Sequence, residues 1–317
     1  MPPTGRRQDR AEDGPRQTLV TGALASALSL LVVAGVLVPR YLQVGVVSVA
    51  SASELGAVMD DMNYRLAVVR SGIAGVPRIA LASLPAGMEA IGSIEERKRV
   101  FLRVLLPLVL AENEQILDDR ARVLGIARSL GADEILARAE HRELTSIALG
   151  YLFRPRDGTW SADDIAELLR RVDAVPPSLA LAQAAVESGW GTSRFAREGN
   201  ALFGQSAWDG AGMAPMGRAD PPYRVATFDT LQDSVAAYMA NLNTHRAYRT
   251  FRRLRSEQRA AGAPMDAGAL AGTLLAYAET GEAYARLLRE VIDDNDLPTY
   301  DAADFEDGRP TVVLAAR

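Results

Sequence analysis

The stretch that decides the fold is Pro176-Pro-Ser-Leu-Ala-Leu-Ala-Gln-Ala-Ala-Val-Glu187-Ser-Gly-Trp-Gly-Thr-Ser193. The paired prolines suit the first turn of a helix, where a missing N–H costs nothing. Leu179, Leu181, Val186 and the alanines point to most sides of that helix, so it is expected to be buried on most of its circumference. Gln183 and Glu187 alone interrupt the apolar run, and at a spacing of four they share a face. Gly189 then ends the helix in the C′ position. A buried carboxyl at the negative end of a helix loses hydration and meets the helix dipole, and both effects raise its pKa. That favours a proton at neutral pH, the state a general acid needs to protonate a leaving oxygen. A glutamate that merely pairs with an arginine such as Arg194 is the alternative reading of this helix alone.

Downstream, Gly189 and Gly191 permit tight backbone approach around Trp190, which offers an aromatic face. The next element is Gly199-Asn-Ala-Leu-Phe-Gly-Gln205. Asn200 and Gln205 carry amides suited to sugar hydroxyls or acetamido groups, while Trp208 and Tyr223 could stack on sugar rings or belong to the core.

These motifs strongly resemble the glucosaminidase family of peptidoglycan hydrolases. Tyr223 to Asp229, Ser234 to Tyr238, and Tyr277-Ala278 through Tyr284-Ala285 to Asn295 agree with it. Asn241 to Arg249 and the upstream Arg97 to Asn113 are similar to its Bax-like branch. The likeness covers residues 176–300 and extends back to about 75. It implies a lysozyme-like fold and hydrolysis of the β-1,4 bond on the reducing side of N-acetylglucosamine. It also implies Glu187 as general acid, with Tyr277 assisting and Tyr284 as second choice. Gln183, Trp190, Asn200, Phe203, Gln205, Trp208, Tyr223 and Tyr284 become candidate glycan contacts. The family often places a second acid in a small β-lobe. Here that lobe offers only Asp209 and Asp220, and Asp220 is taken as the candidate base of an inverting reaction. A muramidase or lytic transglycosylase, or a non-catalytic glycan-binding scaffold, are the competing functions.

The expected fold class is mainly α: a lysozyme-like helical domain with a small β-lobe at residues 176–300, preceded by a transmembrane helix and a helical region at 53–175. Residues 301–317 read as a tail. In the helical region Ser93 and Glu96 are spaced as a capping box for a long helix, broken or bent at Pro107. Asp229 is expected to cap a helix beginning near Leu231.

Composition narrows the function further. The chain of 317 residues has a formal net charge of -5, a single lysine (Lys98) and no cysteine. Nothing in it suggests nucleic-acid binding; disulfides and thiolate metal sites are excluded. His141 and His245 are the only histidines, so neither a His-rich metal site nor a Ser-His-Asp triad is expected, and no cofactor is implied.

Residues 1–17 carry Arg6, Arg7, Arg10 and Arg16, followed by the charge-free run Thr18 to Val38 (residues 18–38). At helical rise this run matches the roughly 30 Å hydrocarbon core. The arginine asymmetry puts residues 1–17 in the cytoplasm and the rest outside, with the catalytic part at the periplasmic face of the inner membrane. Cleavage after the small residues Ala50-Ser51-Ala52 would instead release it. The expected partners are therefore peptidoglycan glycan strands and the membrane. A reporter active only outside the cytoplasm, fused after residue 60, is predicted to be active; activity there of a cytoplasm-only reporter would overturn this topology.

Overall fold

The protein is described by a computed structural model, which covers residues 45–130, 136–207, 212–214 and 224–316. The run Thr18 to Val38 lies outside these residues, and among them no helix is long and apolar enough to cross a membrane. The architecture is mainly helical. Residues from Gly45 onward form one compact unit.

Strand β1 (Gly45–Val49) leads into α1 (Ala52–Asp61), capped by Ser51, whose side chain accepts from the Glu54 N–H. Helix α2 (Leu66–Arg70) and strand β2 (Ile79–Leu81) follow. The long helix α3 spans Ile94–Ser129, and Ser93 caps it by accepting from the Glu96 N–H at 3.3 Å. It runs without a break through Pro107. Proline inside a helix costs about 3 kcal/mol. The offset is burial: every residue from Val100 to Leu110 is buried, and each leucine or valine removed from water contributes about 1.5–3 kcal/mol.

The two halves of α3 serve different clusters. Its first half, Val100 to Ile116, shares the main core with residues from Val175 onward. Its second half packs through Val123 and Ile126 against α4 (Arg138–Gly150) and α5 (Ala162–Arg171), around Leu144, Trp160, Ile165 and Leu168.

Helix α6 (Pro177–Ser188) is buried along Pro177 to Ala185. Its approach is held from two sides. Asn113 on α3 donates Nδ2 to the Val175 carbonyl at 2.7 Å and accepts from the Val175 N–H at 2.9 Å. Asp301 accepts from the Ser178 N–H and hydroxyl, both at 2.7 Å, so a residue over a hundred positions away closes the start of α6. Next come α7 (Arg194–Gly199), the two-residue strands β3 (Ser206–Ala207) and β4 (Arg224–Val225), and α8 (Leu231–Thr244). β3 and β4 pair antiparallel, Ser206 opposite Val225, and form the small β-lobe. Thr230, not Asp229, caps α8: its hydroxyl accepts from the Asp233 N–H, and Asp233 returns the bond to the Thr230 N–H at 2.9 Å. The reciprocal box satisfies two helix-end donors, where Asp229 would satisfy one. Helices α9 (Arg249–Ala260), α10 (Ala267–Ala271) and α11 (Glu282–Asp294) complete the bundle.

The segment expected as a tail is structural. Strand β5 (Thr311–Ala315) lies at the centre of a three-stranded parallel sheet in the order β1-β5-β2. Gly45 and Ile79 both sit opposite Thr311, and Val313 is fully buried. Its partners are far away in sequence, so no local pattern announces the pairing.

Burial raises the pKa of Asp301 from 3.8 to about 6, against the hydrogen bonds from Ser178, which lower it. Ionising this carboxyl therefore costs more in the folded than in the unfolded chain. Its contribution to stability is full below about 3.8 and is lost as pH rises through about 6, a difference of at most about 3 kcal/mol. Asp301→Asn should flatten this part of the profile, seen as a smaller fall in denaturation midpoint between pH 4 and 6.5 than in the unaltered chain. An identical fall in both proteins would refute it.

Candidate active site

Helix α6 delivers Glu187 at its penultimate residue, and the chain then reverses sharply. Gly189 ends it in the left-handed region, with φ 57° and ψ 48°. Trp190 and Gly191 continue with φ of 57° and 79°. A Cβ on Gly191 would approach Phe101, Leu84 and Met88 to 3.1–3.3 Å, so the turn is pressed directly onto the upstream core. Trp190 packs edge-to-face on Phe101 with centroids 5.7 Å apart, and the Lys98 ammonium lies 5.3 Å from its ring centre. Trp190 thus ties the turn after Glu187 to α3, with one side of its ring already occupied.

Glu187 is half-buried and forms no ion pair among the described residues; Arg194 turns instead to Glu198 and to the Ala214 carbonyl. Burial raises the Glu187 pKa, and a hydrogen bond from Tyr284 opposes that rise. The carboxyl lies against the Phe203-Gly204 turn. A Cβ on Gly204, which has φ 63°, would come to 2.8 Å from Glu187 Oε2, so a larger residue there would displace the carboxyl. Gly204 itself is exposed, which puts this carboxyl at the edge of solvent.

A directed chain of hydrogen bonds stands behind it. The Tyr238 hydroxyl donates to Gln183 Oε1 at 2.7 Å, and Gln183 Nε2 donates to the Tyr284 hydroxyl at 3.0 Å. Because Tyr284 accepts from Gln183, its proton is left to donate to Glu187. The Tyr277 ring stacks parallel to Tyr284 at 5.5 Å, and its hydroxyl donates to the Phe203 carbonyl at 2.9 Å. Tyr248, which sequence reasoning did not single out, lies 6.2 Å from Tyr277 and feels the Glu187 charge. Burial comes first among the causes that raise all three tyrosine pKa values, so these groups act as neutral hydroxyls. Their aromatic spacing was in the sequence, but not the convergence of two helices and a loop on one carboxyl.

This geometry redistributes the expected roles. Tyr284 rather than Tyr277 touches the acid, while Tyr277 pins the turn on which the acid rests. Gln183 is fully buried with both ends of its amide engaged, so it positions Tyr284 and does not meet a glycan. Asn200 is fully buried as well; it ends α7 with φ 52° and donates to the carbonyls of Phe228 and Asp229 at 3.0 Å. Phe203 is core, stacked on Tyr238 at 3.9 Å. Gln205 is half-buried beside Gly204, and its Oε1 has no partner. His245 caps the end of α8 and is exposed. Trp208, Asp209, Asp220 and Tyr223 lie outside the described residues. Among the described residues no other carboxylate acts on Glu187, and no cluster of metal-binding side chains occurs.

The family described as Mannosyl-glycoprotein endo-beta-N-acetylglucosaminidase matches residues 162–297. Protein bax of Escherichia coli (strain K12) is 34% identical over 203 residues, 63% of this chain and 70% of that protein. The chain belongs to the glucosaminidase family, as a Bax-like member. Membership makes it a glycan-cleaving glycoside hydrolase by family. The matched residues span α5 through α11, and therefore Glu187 and its tyrosines. No solved structure matches.

Removing the Tyr284 hydroxyl removes the one bond that lowers the Glu187 pKa. Tyr284→Phe should therefore move the alkaline limb of the kcat profile to higher pH and reduce kcat roughly tenfold or more. An unmoved limb would show that Tyr284 does not address the acid.

Proposed function

We propose that this glucosaminidase-family chain hydrolyses peptidoglycan at the β-1,4 bond on the reducing side of N-acetylglucosamine, with Glu187 as general acid. The observation that carries the reading is the state of that carboxyl. It is desolvated, free of cationic partners among the described residues, oriented by a neutral tyrosine hydroxyl and placed at the edge of solvent. A protonated carboxyl so held can protonate a glycosidic oxygen as the bond breaks. In the inverting form of the reaction Asp220 supplies the base that activates water; in its absence the substrate's own acetamido oxygen attacks the anomeric carbon. The charge-free run Thr18 to Val38 supports anchorage in the inner membrane, with the catalytic unit facing the periplasm and its wall.

One observation favours a second reading. Glu187 stands alone among the described carboxylates, and a single acid also suits a lytic transglycosylase, in which the muramic 6-hydroxyl replaces water. A muramidase differs in the bond that it breaks.

Glu187→Gln keeps the shape and removes the proton. It should lower wall-lytic activity about 100- to 10,000-fold. Its thermal midpoint should be unchanged or raised, since a half-buried ionisable group is replaced by a neutral one. Lysis by the folded variant at the unaltered level would refute the assignment. Mass analysis of the products separates the readings: N-acetylglucosamine at the reducing end supports the proposal, reducing muramic acid identifies a muramidase, and anhydromuramic ends identify a transglycosylase.

A further inference from the structure

Helix α9 carries five arginines, and its surroundings answer them in two different ways. On the inner side, Arg259 donates Nε and Nη2 to the two carboxylate oxygens of buried Asp173, at 2.8 and 2.5 Å. Arg255, fully buried, donates to the carbonyls of Asp173, Ala174 and Arg170 at 2.9–3.0 Å, with Nε 3.9 Å from the same carboxylate. One buried anion thus compensates the buried cations, as charges away from water require.

Arg252 has no such anion. It is 2% exposed and forms no ion pair. Its Nη1 donates to the carbonyls of Leu242 and His245 at 2.9 Å, at the end of α8. Among the described residues Nε and Nη2 have no partner, and they are not sealed from solvent as the orphaned Arg255 Nε is. Burial lowers the Arg252 pKa to about 10, with Arg171 and Arg249 adding to the fall and Glu167 opposing it.

The open edge of this guanidinium lines a cavity of about 550 Å³ shared with Arg170, Arg249 and Arg253. Two acids line it too, and both are engaged. Glu167 pairs with Arg170 at 3.0 Å and Arg171 at 3.4 Å, and Glu257 pairs with Arg253 at 3.1 Å. Arg249 pairs with neither; its one hydrogen bond runs from Nε to the Arg246 carbonyl at 3.4 Å. Two guanidinium groups without an ion-pair partner among the described residues therefore line one concave space. Planar forks of N–H donors match planar or tetrahedral oxyanions. The pocket and the acid's surroundings are linked through consecutive residues: Arg249 lines the pocket, and the preceding Tyr248, buried, stands 6.2 Å from the Tyr277 ring and feels the Glu187 charge.

We infer that the cavity between α5 and α9 is an anion subsite that receives a carboxylate of the peptide stem borne by the glycan seated at Glu187. The inference rests on the peptidoglycan reading above. That substrate carries free carboxylates at intervals along a neutral sugar backbone, so a cationic pocket near the cleft distinguishes stem-bearing strands from bare ones.

Binding of soluble ligands to the full chain carrying Glu187→Gln tests it, since nothing is then consumed. The probes are a disaccharide with its peptide stem, the same compound with its stem carboxylates amidated, and inorganic phosphate. The carboxylated form should bind about tenfold more tightly than the amidated form. Adding Arg249→Gln should abolish most of that difference. Arg249 is exposed and makes one long hydrogen bond, so the variant should fold, which an unchanged melting midpoint verifies; Arg252→Lys, keeping charge without the fork, should retain only part of the preference. Equal binding of the two disaccharides, or a preference that survives Arg249→Gln, overturns the subsite. So does phosphate binding that depends on Arg249 without any stem preference, which would assign the pocket to a phosphate ligand. If the stem preference holds while the chain with Glu187 intact releases no wall fragments, the catalytic reading fails and the subsite stands.

Discussion

A carboxyl group that is partly removed from water without a cation beside it keeps its proton more readily, and the rest of this structure serves that condition at Glu187. The helix that carries it is buried along nearly its whole length, so it cannot shift to bring the acid into bulk solvent. Three successive left-handed residues after the helix fold the chain back before any side chain can crowd the carboxyl. Gly204, with no side chain, lies directly against the carboxyl. Behind it, Tyr238, Gln183 and Tyr284 pass hydrogen bonds in one direction, so the hydroxyl that reaches Glu187 presents a proton and not a lone pair. Burial and that hydroxyl act in opposite senses on the pKa. The balance leaves the acid elevated yet oriented.

The second constraint is how the buried helix is kept in place. Its start is closed by Asp301, its approach by Asn113, and the turn beyond it by Phe101, Leu84 and Met88. These residues lie on either side of α6 in sequence and outside the segment that the family model matches, so the upstream helix and the segment after α11 hold the helix that bears Glu187. Arginine carries much of this work. Its fork can serve two or three carbonyls at once, as Arg252 and Arg255 do, where an ammonium would present a point charge. Asp173 is the one buried acid that answers several of these guanidinium groups, and the contrast with Arg252 gives the α5–α9 cavity its character.

Much of the site was legible in the sequence, because the features concerned are local. Backbone hydrogen bonding and side-chain periodicity within a dozen residues are enough to mark α6 as a helix buried on all sides, Gly189 as its end, Glu187 as its exceptional residue, and Ser93 as the cap of a long helix. The family motifs lie in the same contiguous stretch. The amides are read differently for a physical reason: Gln183 and Asn200 have the chemistry of sugar ligands, but an amide buried in the core, with both ends engaged as in Gln183 or its NH2 engaged as in Asn200, looks the same in sequence as one that faces a cleft. Whether such a group meets substrate depends on what lies across from it, which no spacing along one helix contains.

The remaining features depend on residues far apart along the chain. The choice of Tyr284 over Tyr277 as the partner of Glu187 follows from how α11 packs against α6, since either ring has the right chemistry. The unbroken path of α3 through Pro107 follows from burial on every side, which outweighs a local penalty that sequence alone shows at full strength. Strand β5 joins β1 and β2 across more than 200 residues, and parallel pairing needs such distant partners. The sequence by itself determined that the chain would be mainly helical, that Glu187 would stand near the end of a buried helix and that it would lose water. Only the tertiary structure decided which hydroxyl would orient it, which polar groups would be sealed inside, and which arginines would be left without an anion, because each of those outcomes is a contact between side chains that chain proximity does not bring together.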